Sequence, residues 1–217
     1  MVRLLKAYGI LANILALIDD IPLGHRRIER GLELTQSWFI NGTLYNSEIW
    51  QKLTEKDKSD LNKKDHILLR SIVGAQAKVP IEQLYLETAS LTPTQVIYVR
   101  RMIYLQTILK RPANELIRKI YEEMKNDPIP VDWSELVRNV FEELNMHIDN
   151  KLIQEMDIAK YKALIKKEVR ESAFIEFKLK QSGHEKGNKT PHENPEKPQK
   201  YLLTNKLTNK QISLLFN

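Results

Sequence analysis

The apolar residues of this 217-residue chain recur every three or four positions, in segments that prolines and glycines separate. The chain has only 7 glycines and 9 prolines, and the prolines fall mainly between these segments. Such spacing places side chains on one face of a helix, whereas the alternation typical of strands is weak throughout. The chain is therefore predicted to be all-α: an irregular multi-helix bundle with a disordered Lys/Pro-rich linker and a short C-terminal helix.

The strongest helix start is at Thr92, a capping residue followed by proline at the first helical position and glutamine at the third. It predicts a helix from Pro93 to about Lys110 that is apolar almost all round and so central to a core. A second helix, beginning after Gly24, is expected to break or bend at Asn41 and Gly42. The other predicted helices run over 9–18, 54–74, a few residues after Pro80, 113–125, 132–146 and 158–181.

Composition divides the chain into linear ranges. Residues 1–146 are predicted to form a helical body and 147–181 a basic amphipathic helix region. Residues 182–200 contain no large apolar side chain, which predicts a disordered linker. Residues 201–217 regain Leu203, Leu207 and Leu214 at heptad-like spacing. This segment resembles a helix that is cut short or that needs a partner.

Several kinds of chemistry are excluded by residue type. Without cysteine the chain has no disulfide, thiolate nucleophile, Fe–S cluster or thiolate zinc site. The histidines lack metal-ligand spacing, and no glycine-rich phosphate loop, nucleophile elbow or His-Glu-x-x-His motif is present. We therefore expect no metal, no cofactor and no catalysis by the isolated chain. The histidines are His25, His66, His147, His184 and His192.

The pair Asp19 and Asp20 imitates the acidic pair of a polymerase metal site. Two-metal chemistry needs carboxylates from different chain segments to hold ions about 4 Å apart. Here the pair ends an apolar helical run and meets Ile21 and Pro22, without a strand on either side. A helix end is the favoured interpretation.

Arg3 and Lys6 precede the apolar run from Gly9 to Ile18, an arrangement that imitates a signal peptide. The run is too short for an ordinary membrane span, and no small-x-small cleavage site follows it. A core helix is favoured. We expect no membrane association and an intracellular location, in the nucleus or cytoplasm, rather than secretion.

The formal net charge of +6 is modest, so it suggests a nucleic acid or acidic partner only where the cations cluster. Arg101 lies between Ile97 and Leu105, one helical turn away on each side. A buried, unpaired guanidinium is costly. Arg101 is therefore expected to reach solvent or to meet an anion, which is either an acidic side chain or a phosphate.

The predicted helix over 158–181 separates apolar from basic residues. One face is predicted to carry Ile158, Tyr161, Ile165, Val169 and Leu179. The opposite face carries Lys160, Lys167, Arg170 and Lys178 around Phe174, with Glu171 as the only acid nearby. These cations could grip phosphates while Phe174 stacks on a base or sugar. In the alternative interpretation the basic face is merely solvated and Phe174 packs on another helix.

Four strings keep the order and approximate spacing of a known family between about Asp19 and Leu144. They are Asp19 to Gly24, Ile40 to Trp50, Leu84 to Glu87 and Arg100 to Leu109. Together they resemble the region that follows the polymerase core in non-LTR (LINE-type) retrotransposon reverse transcriptases. The later lysine-rich helix is similar in character.

The resemblance implies a helical thumb and connection fragment that cradles template and primer and is inactive alone. The palm's aromatic-Ala-Asp-Asp hairpin is not in this chain, and Asp19 and Asp20 would fall downstream of it. RNA or DNA is thus the expected partner, with contacts at Arg100, Arg101, Lys160, Lys167, Arg170, Phe174 and Lys178. The alternative is a helical protein-interaction module derived from a transposable element, docking a protein through Tyr201 to Asn217.

Overall fold

The computed structural model describes residues 2–126, 132–147, 149–182 and 197–199. These ranges contain helices and no strand, which confirms the all-α prediction. No helix within them is both long enough and apolar enough to span a bilayer. The α-helices are α1 (Val2–Asp19), α2 (His25–Leu34), α3 (Asn41–Thr43), α4 (Glu55–Val73), α5 (Ile81–Thr88), α6 (Pro93–Leu109), α7 (Leu116–Asn126), α8 (Trp133–Glu143), α9 (Asn150–Glu155) and α10 (Ile158–Ser182).

The chain forms two compact units, each assembled from separate segments. The first consists of Met1–Tyr45, Lys56–Thr94 and Ala173–Asn217, and the second of Asn46–Glu55 and Gln95–Ser172. Helix α10 contributes its residues through Ser172 to the second unit and the rest to the first. The predicted linear ranges 1–146 and 147–181 therefore cut across both units.

In the first unit, α2 and α4 approach each other closely at Gly31. A Cβ atom at this position would lie 2.6 Å from Cγ1 of Ile72, so only glycine fits without displacing that side chain. Arg27 fastens the turn between α1 and α2 to α4, because its Nη2 donates to the carbonyl oxygen of Ser71 at 3.0 Å and pairs with Asp19 at 3.0 Å. Asp19 is the last residue of α1, as the helix-end interpretation predicts. Its ion pair with Arg27 was not predicted from the sequence.

The expected break at Asn41 and Gly42 is not where the helix becomes irregular. Residues Thr35–Ile40 form a π-helical turn, and the helix resumes over Asn41–Thr43. Thr35 Oγ1 donates to the carbonyl oxygen of Gly31 at 2.8 Å, and Ser37 Oγ to that of Glu33 at 2.7 Å. Hydroxyl groups that bond carbonyls four residues back compete with the helical ladder, which accounts for a distortion at this place.

In the second unit, α6 is central, as predicted: Ile97, Met102, Leu105 and Leu109 are fully or almost fully buried. Gln106 Nε2 donates to the carbonyl oxygens of Ile153 and Met156, at 3.0 and 2.9 Å. These two bonds join α6 to α9 and to the residue that follows it, and α9 is a helix that the sequence pattern did not predict.

Caps define the other helix starts of this unit. Asp132 Oδ1 accepts the Glu135 N–H at 2.7 Å, which confirms the predicted start of α8. Asp149 Oδ1 accepts the N–H groups of Lys151 and Leu152 and starts α9. Helix α7 begins at Leu116, three positions after its predicted start at Ala113, and α8 ends at Glu143 rather than at about Met146.

The predicted linker over 182–200 and the predicted amphipathic segment Tyr201 to Asn217 lie outside the described residues, apart from Ser182 and residues 197–199. Ser182 is the last residue of α10. The N–H of Gln199 donates to the carbonyl oxygen of Glu87 at 2.8 Å, within the first unit.

Candidate nucleic-acid interface

Helix α10 starts from its own cap. The Oδ1 atom of Asp157 accepts the N–H groups of Ala159 and Lys160 at 2.9 and 3.0 Å. The bond from Lys160 is the main reason why the pKa of Asp157 lies below its usual value. This cap defines where α10 begins.

The buried face of α10 drifts around the helix. Residues four apart advance about 40° beyond a full turn, so a row with this spacing moves sideways along the axis. The predicted stripe is wrong at both ends, because Ile158 and Leu179 are 59% and 68% exposed. The side chains actually buried on α10 are Tyr161, Ile165, Val169, Ala173 and Phe177.

Three cations lie one turn apart beside this buried face, within the second unit. They are Lys162, Lys166 and Arg170, called here the basic row. Lys162 and Lys166 are exposed and Arg170 is half-buried. Partial desolvation, followed by repulsion from Lys162 and Arg170, lowers the pKa of Lys166. The three side chains of the row therefore repel one another.

Within the described part of the chain, no acidic side chain forms an ion pair with any member of the basic row. Glu168 is two positions from both Lys166 and Arg170, a spacing that turns it to the other side of the helix. The Nε atom of Arg170 is buried and has no hydrogen-bond partner among the described residues. The positive charges of the row and the Nε donor of Arg170 therefore lack partners among the described residues.

Lys160 and Lys167 are exposed, and their separation of seven positions places them on one side of the helix, next to the basic row at Lys166 and Arg170 rather than at Lys162. Lys167 Nζ lies 3.8 Å from Glu171 Oε1, an exposed pair of the kind that contributes little to stability. Together with the basic row these two lysines form what we call the basic surface of α10. Lys162 and Lys166 were missed from the sequence, although three like charges at i, i+4 and i+8 were a visible signal.

Phe174 and Lys178 lie in the part of α10 that belongs to the first unit. Lys178 Nζ sits 4.3 Å from the centroid of the Phe174 ring, and the ring is half-buried. A cation therefore already occupies one face of this aromatic side chain. Both interpretations of Phe174, a stacking residue and a packing residue, are compatible with this placement.

Arg101 meets neither of the anions considered for it. It is only 5% exposed, and its Nη2 donates to the carbonyl oxygens of Trp50 and Gln51 at 2.9 and 3.3 Å. Burial lowers the pKa of this guanidinium. The Nη2 bonds hold the segment around Trp50 against α6. The Nε of Arg101 is buried and has no hydrogen-bond partner among the described residues.

Arg100 points to the same segment of the second unit. It is half-buried, and its Nη1 lies 3.5 Å from Ser47 Oγ. Desolvation lowers the pKa of Arg100, and the charge of Glu48 opposes that shift. The two arginines of α6 are therefore engaged with residues 47–51, in contrast to the basic row.

The described residues contain no group of three or more histidine and acidic side chains arranged to hold a metal ion. Comparison of the chain with models of protein families, with curated proteins and with solved structures found no significant match.

Proposed function

We propose that this chain binds nucleic acid through the basic surface of α10, with the basic row as its main phosphate contact. The observation that carries the proposal is three like charges spaced one turn apart. Each like-charged pair at i, i+4 destabilises a helix by about 0.2–0.5 kcal/mol. A polymer of phosphates relieves that repulsion, and its condensed counterions are released on binding. The row is thus suited to a polyanion.

Kinship with the region that follows the polymerase core of LINE-type reverse transcriptases is part of the same proposal. Its support is the order of the four sequence strings, and the implied role is to bind template and primer without catalysis. The genomic sequence upstream of Met1 tests it. An in-frame palm with its Asp-Asp hairpin would support the kinship, and an unrelated promoter would contradict it.

The binding experiment uses the full chain and a triple variant, K162Q/K166Q/R170Q. Affinity for a labelled RNA hairpin and a DNA duplex is measured by fluorescence anisotropy over a range of salt concentrations. We expect weaker binding, with the slope of log affinity against log salt flatter by about one unit for each phosphate that is no longer neutralised. Helix content should stay unchanged, and the unfolding free energy should rise by about 0.4–1 kcal/mol, because two repulsive pairs are removed.

The matched control is K52Q/K56Q/K78Q, which removes the same charge from three exposed lysines elsewhere in the chain. It should retain most of the affinity and the salt slope of the unmodified protein. Equal weakening in the two triple variants would mean that net charge alone drives binding. Unchanged binding by the α10 variant would reject the proposal.

A protein-docking module is the second candidate, and one observation favours it. Helix α7 leaves Leu116, Ile117 and Ile120 exposed and buries Tyr121. Apolar docking keeps its strength as salt rises, whereas phosphate binding weakens steeply. The same series of salt concentrations therefore also separates the two candidates.

A further inference from the structure

A cleft of about 630 Å³ lies in the second unit, between α7, α8 and the turn that enters α9. Its volume is within the range of small-molecule binding sites. None of its lining residues belongs to α10, so the cleft is separate from the basic surface. It is also lined by charged and hydrogen-bonding side chains that have no part in the proposed function.

Cations from three chain segments converge on this cleft. Lys125 comes from the last turn of α7, Arg138 from α8 and Lys151 from the first turn of α9. Arg138 is already held by Glu135 and Glu142. Lys125 and Lys151, in contrast, form no ion pair within the described residues, and their charges remain available to a ligand.

The one acid that lines the cleft is committed locally. Asp149 Oδ1 accepts the N–H groups of Lys151 and Leu152. Because this carboxylate accepts free backbone N–H groups at the start of α9, it neutralises the charge of the lysine side chains less. The cleft therefore keeps an excess of positive charge.

A polar pair in the wall of the cleft has spare hydrogen-bonding capacity. The Tyr121 hydroxyl lies 3.5 Å from Asn150 Oδ1, and Asn150 Nδ2 lies 3.3 Å from the same hydroxyl. Both separations are long for hydrogen bonds. Burial raises the pKa of Tyr121, which keeps its phenol protonated and able to donate.

The same tyrosine is held in place. Its ring packs edge-on against Trp133 at a centroid distance of 6.3 Å. Trp133 in turn donates its Nε1–H to the carbonyl oxygen of Glu48 at 2.6 Å. The Tyr121 hydroxyl is therefore positioned before any ligand arrives.

We infer that this cleft binds a small phosphorylated molecule, with the phosphate between Lys125 and Lys151 and a hydrogen bond from the Tyr121 and Asn150 pair. The inference does not depend on nucleic-acid binding by α10. The two negative charges of a phosphate match the two unpaired ammonium groups. The Tyr121 hydroxyl and the Asn150 amide, which are neutral donors, would orient the phosphate through hydrogen bonds.

The probe is inorganic pyrophosphate, titrated into the full chain by isothermal calorimetry at constant ionic strength. Saturable binding is expected. K125Q/K151Q should lower the affinity by about a hundredfold or more, because two charge-assisted hydrogen bonds to the phosphate are lost. Y121F, which removes only the hydroxyl, should lower the affinity less. Circular dichroism checks that each variant keeps its helix content.

Two control variants test whether the ligand binds in the cleft or to surface charge elsewhere. K52Q/K119Q removes two exposed lysines outside the cleft and should bind pyrophosphate as the unmodified chain does. K162Q/K166Q/R170Q should also leave pyrophosphate binding intact, even where it abolishes binding of nucleic acid. No saturable heat at millimolar pyrophosphate, or equal weakening in K125Q/K151Q and K52Q/K119Q, would overturn the inference.

Discussion

The cations of α6 and those of α10 have opposite surroundings. Arg101 of α6 is buried and donates to two carbonyl oxygens, so the fold supplies acceptors for its Nη2, while its buried Nε, like that of Arg170, has no partner among the described residues. Lys162 and Lys166 of α10 are exposed and repel one another and Arg170. A cluster of basic residues therefore indicates a ligand only where the chain does not already supply the acceptors.

The first unit contains two acidic side chains that, like Arg101, are buried within the fold. Asp65 is almost fully buried and accepts the Tyr85 hydroxyl at 2.7 Å, while the Tyr85 ring stacks on Phe177 at 4.9 Å. Burial raises the pKa of Asp65 to about 7 against the opposing hydrogen bond from Tyr85. Burial likewise raises the pKa of Glu87 to about 7. Such groups make the stability of the fold depend on pH.

The largest expected effect is at Asp65, whose titration should make the unfolding free energy depend on pH. The exposed cations of α10 should not have this effect. The folded chain holds the Asp65 proton more tightly than the unfolded chain, so the contribution of Asp65 to stability is highest below about pH 4, falls as pH rises towards 7 and then levels off. The shift from 3.8 to about 7 corresponds to about 4 kcal/mol. Urea unfolding at about pH 5 and about pH 8 should show about 3 kcal/mol of this decrease, because part of it already occurs below pH 5, and D65N should reduce it.

The control for this prediction is D20N, which changes an exposed carboxylate and should keep the pH dependence of the unmodified chain. His66 has a lowered pKa and acts with the opposite sign, but it is present in all three proteins, so the difference isolates Asp65. Equal pH slopes for the unmodified chain and D65N would contradict the buried-acid interpretation.

The second prediction tests whether α10 has one buried side and one binding side. Ile165 is fully buried, so I165A should lower the unfolding free energy by about 2–5 kcal/mol. F174A should destabilise less, but weaken nucleic-acid binding by about 1–3 kcal/mol with little change in salt slope. Thermal unfolding and anisotropy measure the two effects. A melting temperature for F174A as low as that of I165A, with unchanged binding, would make Phe174 a packing residue.

Single arginine variants should give the smallest effects, and they test the contrast between α6 and α10 directly. R101Q removes charge-assisted hydrogen bonds to the segment around Trp50 and should cost about 1.5–3 kcal/mol of stability without changing the salt slope. R170Q, its matched arginine on α10, should do the reverse: stability higher by about 0.2–0.5 kcal/mol, because one repulsive pair is removed, and the slope flatter by about one unit. Flattening of the slope by R101Q at unchanged stability would place the phosphate contact on α6 instead.

Several elements were predictable because their causes lie within one helical turn. The capping signal at Thr92 and Pro93 predicted α6, and the Asp132 cap predicted α8. Helix α9 was missed because six residues give too short a periodic pattern, although Asp149 marked its start. The basic face of α10 was predictable in part, and the members beside the buried face, Lys162 and Lys166, were not recognised.

Local sequence was sufficient to set the helical class and most helix positions, because periodicity and capping act between residues three or four apart. Packing in three dimensions determined the two units, the exposure of Ile158 and Leu179, and the acceptors of Arg101, which stand about fifty positions away along the chain. The free energy of a cation depends on which groups surround it after packing. No local pattern specifies those groups, so Arg101 and Arg170 look alike in the sequence and differ in the fold.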